Sequence, residues 1–147
     1  MKINEIKSKI AGGDLDKRFI RLYDKASINT QRERYLAALD NFSSIFGNDR
    51  EVNIYSVSGR SELAGNHTDH NCGLIVAAAI AEDTICIAAK NEEKMVNIAS
   101  EGYEEMQPVN LEKLRATVSD EGTTRGLVKG ICAYTIKSGG RCDGLDL

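Results

Sequence analysis

The sequence has few of the residues that usually mark a metal, redox or membrane protein. Its 147 residues include no tryptophan, one proline and two histidines, so a histidine-rich metal centre is not expected. The four cysteines form no C-x-x-C pair, which argues against a zinc knuckle or a redox motif and favours reduced, mostly buried thiols. No segment approaches the roughly 20 apolar residues of a membrane span. The N-terminus, Met1 to Glu5, lacks the apolar core of a signal peptide, so a cytoplasmic protein without a membrane partner is predicted.

The charge balance also limits the possible partners. The formal net charge is −3 and no dense block of lysine or arginine is present, so no basic surface for a nucleic acid is predicted. With 28% charged and 41% hydrophobic residues, the chain can form one globular domain with a real core. Small molecules are therefore the expected ligands.

Helical periodicity dominates the first third of the chain. An apolar stripe predicts a short first helix that stops at Gly12; its residues are Ile3, Ile6 and Ile10. A further helical turn is predicted around Phe19. Thr30-x-x-Glu33 has the form of a capping box, so a longer helix is predicted from Thr30 to a left-handed C-terminal residue at Gly47.

Strand patterns follow from residue 52. Val52–Val57 alternates as a strand, and the apolar run Leu74–Ala81 has the length of a strand buried on both faces. Thr84–Ala89 and Met95–Ala99 are predicted to form a hairpin closed by a polar turn. A second amphipathic helix is predicted from about Thr124 to Lys137. The predicted class is α+β, with N-terminal helices followed by a mixed or antiparallel sheet.

The last residues begin another strand. Leu145-Asp146-Leu147 starts an alternating pattern and is cut off at once, whereas strands usually run for about five or six residues. The chain is therefore expected to stop inside an element. An unpaired strand edge here is expected to promote association of the isolated chain.

The most informative segment is Gly59–Gly73. Its fifteen positions hold one arginine, two histidines, one aspartate, two asparagines and three glycines, directly ahead of the apolar run. The polar groups can bind a polyhydroxylated small molecule, and the glycines allow backbone to approach it. This segment is the candidate site.

The order of these residues resembles one family. Gly-Arg-x-x-Leu-x-Gly-x-His-Thr-Asp-x-Asn-x-Gly, followed by an apolar strand, resembles the N-terminal signature of galactokinases, which are GHMP small-molecule kinases. The similarity runs from about Gln31, which suggests an N-terminal helical extension over residues 1–30 and a galactokinase-like domain over residues 31–147. The implied fold is the ribosomal protein S5 domain 2-like fold, incomplete at the C-terminus.

The resemblance implies roles for four residues. Arg60 matches the arginine beside the reacting sugar hydroxyl and the transferring phosphate, so it is expected both to bind substrate and to take part in catalysis. His67 and Asp69 match ligands of sugar hydroxyls. Asn66 is also expected to bind substrate, although the pattern has glutamate there.

Other positions depart from the pattern as well. Ser61 and Glu62 stand where the pattern has valine and asparagine, and His70 stands where it has tyrosine. These departures leave the identity of the sugar open more than the kinase chemistry.

The implied reaction is ATP-dependent phosphorylation of galactose at its anomeric hydroxyl, giving galactose 1-phosphate, with ATP and Mg²⁺ as cofactors. The glycine- and serine-rich phosphate loop of the family is expected beyond Leu147, so the chain alone is expected to be inactive. The departures at Asn66 and His70 also fit an alternative, a relative of galactokinases that senses or binds sugar without phosphorylating it.

Simpler interpretations compete with the site hypothesis. His67-x-Asp69-His70 imitates part of a zinc-binding run, but the chain has no further histidine to complete such a site. The glycine-rich segment could also be a plain turn. Lys129 is expected to be a solvated helix charge, and Cys72 a small packing residue.

Overall fold

Within the described residues, the computed structural model contains four α-helices and five β-strands. The structure describes every residue except Glu104, and it describes Asp69 by its backbone alone. The helices are α1 (Ile3–Ala11), α2 (Asp16–Leu22), α3 (Ile28–Phe46) and α4 (Thr124–Lys137). The strands are β1 (Asn53–Ala64), β2 (Val76–Lys90), β3 (Met95–Ile98), β4 (Gln107–Asn110) and β5 (Leu145–Asp146). The predicted α+β class is confirmed.

The first two helices form where the apolar spacing predicts them. α1 buries the predicted stripe of three isoleucines and ends immediately before Gly12. α2 is a short helix whose buried residue is Phe19. Both helices therefore place an apolar face against the rest of the protein.

The third helix starts earlier than predicted. α3 begins at Ile28, so Thr30 lies inside its first turn and the predicted capping box is wrong. The reason is a turn just upstream, in which the Asp24 carboxylate accepts a hydrogen bond from the backbone N–H of Ser27 at 2.7 Å. This turn directs the chain into helical geometry before Thr30 is reached. Gly47 ends α3 as predicted and has a positive φ of 91°, but its ψ of 157° lies outside the left-handed helical conformation.

The sheet is mixed, with strand order β1-β2-β5-β3-β4. β5 pairs antiparallel with β2 and parallel with β3, so β2 and β3 do not form the predicted hairpin. The predicted unpaired edge at residues 145–147 is also wrong, because β5 has a hydrogen-bonded strand on each side. Both errors have one cause, since the final strand inserts between two strands that are close in sequence.

A buried carboxylate holds this insertion in place. The Asp146 side chain accepts hydrogen bonds from Asn91 Nδ2 at 2.7 Å, Asn97 Nδ2 at 2.8 Å and Arg50 Nη2 at 2.7 Å. Burial by itself would raise the pKa of Asp146, but these three donors hold it below its ordinary value. One charge thereby connects β5 to the turn that follows β2, to the interior of β3 and to the segment that follows α3.

Two apolar cores lie on opposite faces of the sheet. The larger core joins α1, α2 and α3 to the sheet through residues that include Leu39, Val52 and Ile87. The smaller core is centred on Val96, Ile98 and Val109, and Val128 of α4 packs against it. Among the described residues, no helix is both long enough and apolar enough to cross a membrane.

Residues 1–30 contribute to the larger core together with α3. The predicted division of the chain at residue 30 stays a prediction.

The apolar run Leu74–Ala81 is not a strand buried on both faces. From its third residue onward the run belongs to a long strand, β2, yet Leu74 is 93% exposed and Val76 is 58% exposed. The larger core contacts only the second half of β2, through Ile85, Ile87 and Ala89. The run therefore forms the projecting end of the β1–β2 hairpin.

Candidate functional site

The polar segment Gly59–Gly73 lies at the projecting end of the β1–β2 hairpin. Its first part belongs to β1, where Arg60 pairs with Ala79 and Glu62 pairs with Ala77. The strand predicted over Val52–Val57 therefore extends into this segment, as far as Ala64. The alternating pattern is lost at Gly59 because the pairing register shifts between Ser58 and Arg60, after which the strand continues.

The turn after β1 has an unusual backbone. Asn66 and His67 have φ values of 54° and 55°, a left-handed conformation that non-glycine residues adopt infrequently. Gly65, just before them, has a φ of 122°. A Cβ atom on Gly65 would lie 2.7 Å from the Leu74 carbonyl oxygen, so the two sides of the turn touch backbone to backbone.

Thr68 closes the turn through three hydrogen bonds. Its backbone oxygen accepts from the N–H groups of Asn71, at 3.0 Å, and Gly73, at 2.8 Å. Its hydroxyl donates to the Gly65 carbonyl at 2.8 Å. Thr68 is part of the signature, but the sequence interpretation gave it no role. Its role in the structure is to fix the ends of the turn relative to each other.

Arg60 extends from an exposed position on β1 and makes no hydrogen bond or ion pair with the described side chains. Ladder pairing is regular from Arg60 to Glu62, so these two residues project from the same face of the hairpin. A guanidinium and a carboxylate therefore stand two residues apart at the base of the turn. This pair gives the site one fixed positive and one fixed negative group.

Glu62 is the site residue that the sequence interpretation missed. Its Oε1 accepts the backbone N–H of His67 at 2.5 Å, and its Oε2 lies 3.7 Å from His67 Nδ1. The Glu62 side chain is 22% exposed, whereas the His67 side chain is 75% exposed. The only sequence signal for Glu62 was its departure from the asparagine of the pattern.

The four predicted site residues come together around this turn. Arg60 lies on β1, and Asn66 and His67 occupy the left-handed turn with exposed side chains. Asp69 begins a short 3-10 helix, Asp69–Asn71, and the prediction for its side chain lies outside what the structure describes. The sugar-binding roles of all four residues stay predictions.

Two imidazoles lie near each other in the turn. The ring centroids of His67 and His70 are 5.6 Å apart, and Asn71 Nδ2 lies 3.2 Å from His70 Nε2. Among the side chains that the structure describes, no group of three histidine, cysteine, aspartate or glutamate residues is arranged to hold a metal ion. The site therefore presents hydrogen-bonding groups of several types on an exposed turn, which suits a hydroxylated ligand.

A second polar cluster surrounds Asp120 at the start of α4. The buried Asp120 carboxylate accepts hydrogen bonds from Lys129 Nζ, Arg125 Nε and the Thr117 hydroxyl, at 2.8, 2.8 and 2.7 Å. The Lys129 side chain is only 14% exposed, so the prediction of a solvated lysine is wrong. The helical pattern did not reveal this ion pair because Asp120 lies nine residues before Lys129, outside α4. An open cavity of about 540 Å³ adjoins this cluster, between Ala116 and Leu127.

The Asp120 cluster predicts acid sensitivity. The hydrogen bond from Lys129, followed by those from Thr117, holds the pKa of Asp120 well below its ordinary value of 3.8. A carboxyl group whose pKa is lowered in the folded state stabilises the protein when the pH is above the ordinary pKa. This contribution is lost as the pH falls toward the folded-state pKa. We expect the melting temperature of the parent chain to fall more steeply than that of Asp120→Asn between about pH 5 and pH 2. Melting curves that run parallel over this range would contradict the assignment.

The four thiols are free, but most of them are not buried. Cys132 is buried, Cys86 and Cys142 are half-buried, and Cys72 is exposed. The predictions of mostly buried thiols and of Cys72 as a packing residue are therefore wrong. Cys72 is exposed because it lies in the turn, with a φ of 62°. Burial raises the pKa of the Cys132 thiol to about 11, which disfavours its reactive thiolate.

Comparison with known proteins gives one consistent similarity. Residues 40–90 match a family signature described as the galactokinase galactose-binding signature. A galactokinase from Enterococcus faecalis is 32% identical over 110 residues, which are 74% of this chain and 28% of that protein. A galactokinase from Lactococcus lactis subsp. lactis is 30% identical over 106 residues, which are 71% of this chain and 27% of that protein.

The fold is similar to a solved structure as well. The crystal structure of Lactococcus lactis galactokinase complexed with galactose matches with a TM-score of 0.65 and 28% identity. The match covers 76% of this chain and 29% of the solved chain. The present chain thus spans less than a third of the length of the relatives that it matches.

Proposed function

Because the chain corresponds in sequence and fold to the N-terminal portion of galactokinases, we propose that it supplies the sugar site of a galactose-phosphorylating enzyme. The reaction of the whole protein is transfer of the γ-phosphate of ATP to the anomeric hydroxyl of galactose, giving galactose 1-phosphate. The proposed ligand of this chain is galactose or a close relative, without a nucleic-acid or membrane partner. The proposed location is the cytoplasm.

The observation that carries this proposal is the position of the polar turn within the matched region. Residues 59–73 all fall inside the galactose-binding signature, which covers residues 40–90. In the structure, the left-handed turn presents Asn66 and His67 outward, close to the strand position of Arg60. A plain connecting turn does not require this concentration of donors and acceptors, whereas a sugar with several hydroxyls does.

The proposed roles follow from the chemistry of each side chain. His67 can donate from one ring nitrogen and accept at the other, and an ionised Asp69 can accept from two hydroxyls. Asn66 can do both through its amide. Arg60 is the fixed positive charge that offsets negative charge developing at the sugar hydroxyl and the transferring phosphate.

ATP and Mg²⁺ belong to the whole protein in this proposal. ATP supplies the phosphoryl group, and Mg²⁺ neutralises charge on the phosphates. Among the described side chains, no group of three metal-ligating residues is available, and the sequence has no glycine- and serine-rich phosphate loop of the family form. The contribution assigned to this chain is to bind and orient the sugar and to supply the positive charge of Arg60.

A non-catalytic sugar sensor is the second candidate function. It is favoured by Asn66, which is uncharged where the galactokinase pattern has a carboxylate. Formation of galactose 1-phosphate by the natural gene product, supplied with galactose and Mg-ATP, separates the two functions. Turnover at ordinary enzyme rates supports the kinase, and saturable galactose binding without turnover supports the sensor.

Removing either predicted sugar ligand is expected to weaken binding. We expect His67→Ala and Asp69→Ala each to reduce galactose affinity by about 1–3 kcal/mol, because each leaves hydroxyls or pocket groups unpaired. Isothermal titration calorimetry measures the change. Asp49→Ala is the matched control, since the Asp49 side chain is 92% exposed and lies outside the turn. Parent-like affinity in both site variants would remove these residues from the site.

A further inference from the structure

Glu62 directs both carboxylate oxygens at a single residue of the turn. One oxygen accepts the His67 backbone N–H at 2.5 Å, and the other lies 3.7 Å from His67 Nδ1. A hydrogen bond to an ionised acceptor is among the strong ones in proteins. It acts here on a residue with a φ of 55°, a conformation that needs support from its surroundings.

The sequence around Glu62 shows a second regularity. The galactokinase pattern has asparagine at position 62 and glutamate at position 66, whereas this chain has Glu62 and Asn66. The two side-chain types are therefore exchanged, and positions 62 and 66 together keep one carboxylate and one amide. Position 66 directly precedes His67 in the sequence, and the Glu62 carboxylate contacts His67 in the structure.

From these two observations, we propose that Glu62 is the positioning residue for His67 and takes over the carboxylate that the pattern has at position 66. Glu62 holds the His67 backbone in its left-handed conformation and keeps the imidazole at the mouth of the turn. Asn66 then carries the neutral hydrogen-bonding group toward the ligand. The part of this proposal that concerns sugar affinity rests on the proposed function.

The positioning role is tested first without sugar. We expect Glu62→Gln to move the His67 amide resonance upfield in ¹H–¹⁵N spectra and to speed its hydrogen exchange about tenfold, because a charge-assisted bond becomes a neutral one. Glu82→Gln is the matched control, since Glu82 is an exposed glutamate on the neighbouring strand. If the His67 amide responds no more to Glu62→Gln than to Glu82→Gln, the positioning role is overturned.

The exchange of side-chain types between positions 62 and 66 is tested by reversing it. Galactose affinity is measured for Glu62→Asn, Asn66→Glu and the double variant that carries both changes. Each single variant is expected to bind about tenfold more weakly, because it leaves positions 62 and 66 with no carboxylate or with two. The double variant is expected to recover at least half of that loss, on a logarithmic scale. A double variant whose fold loss of galactose affinity equals the product of the two single losses would overturn the proposed exchange of side-chain types.

The two hypotheses fail in different ways. A parent chain that binds no galactose, with a His67 amide that still responds to Glu62→Gln, contradicts the proposed function and supports the positioning role. A parent chain that binds galactose, with an unresponsive His67 amide, contradicts the positioning role alone.

Discussion

Replacing Asp83 with alanine is expected to lower the free energy of unfolding by about 3 kcal/mol or more. The Asp83 side chain is 4% exposed and accepts hydrogen bonds from the Arg34 guanidinium, the Tyr23 phenol and the Ser56 hydroxyl. Alanine removes the carboxylate that accepts from all three groups in a partly buried place. The loss is measured by urea unfolding followed by circular dichroism.

The size of this effect follows from what Asp83 connects. Tyr23 follows α2, Arg34 belongs to α3 and Ser56 belongs to β1, so one carboxylate joins three elements to β2. Burial by itself would raise the pKa of Asp83, but hydrogen bonds from Ser56, Tyr23 and Arg34 hold it below its ordinary value. The carboxylate is thus charged in the folded protein at neutral pH.

Asp40→Ala is the matched control for this prediction. Asp40 also accepts a hydrogen bond from a basic side chain, Lys7, at 2.5 Å, but the Asp40 side chain is 68% exposed. Exposed ion pairs contribute little to stability, so no measurable change is expected. Equal stabilities of the Asp83 and Asp40 variants would show that the Asp83 cluster does not hold the helices to the sheet.

Replacing Gly65 with alanine is expected to disrupt the candidate site and to lower the free energy of unfolding by about 2–4 kcal/mol. The new Cβ would lie 2.7 Å from both the Ile75 Cα and the Leu74 oxygen, which are backbone atoms that cannot rotate away. Gly65 also has a φ of 122°, which L-residues rarely adopt. Because Gly65 begins the left-handed turn, galactose binding is expected to be lost as well.

Gly139→Ala separates the cost of a positive φ from the cost of the atomic overlap. Gly139 has a φ of 84°, but a Cβ atom there would meet nothing within 4 Å. It therefore carries a conformational cost of about 1 kcal/mol without the overlap. Chemical denaturation and calorimetry with galactose are carried out on both variants. A Gly65 variant that is no less stable than the Gly139 variant, and that binds galactose like the parent, would contradict the described turn.

Local sequence signals predicted the local elements well. The three-isoleucine stripe of α1 and the bounds of α4, Thr124–Lys137, follow from apolar residues that recur at helical spacing. The candidate site was recognisable because its residues are adjacent in sequence. These helices and the site segment depend on residues that are close to one another in the sequence.

Features that depend on distant residues were not predictable in this way. β5 lies between β2 and β3 because it pairs with strands about fifty residues earlier in the chain, and the Asp146 cluster that supports it joins Arg50 to the last strand. In the sequence, Asp83 only interrupts the apolar residues of β2, and Glu62 only departs from the galactokinase pattern. Their partners are fixed by the folded sheet, which no local periodicity describes.

A galactose titration of the ¹⁵N-labelled chain, followed by residue in ¹H–¹⁵N spectra, tests the central claim most directly. We predict saturable shifts for galactose that are concentrated at residues 59–73 and are weaker for other hexoses. Galactose additions that produce no saturable shift, or shifts confined to residues outside this segment, would contradict the assignment of the turn as the sugar site.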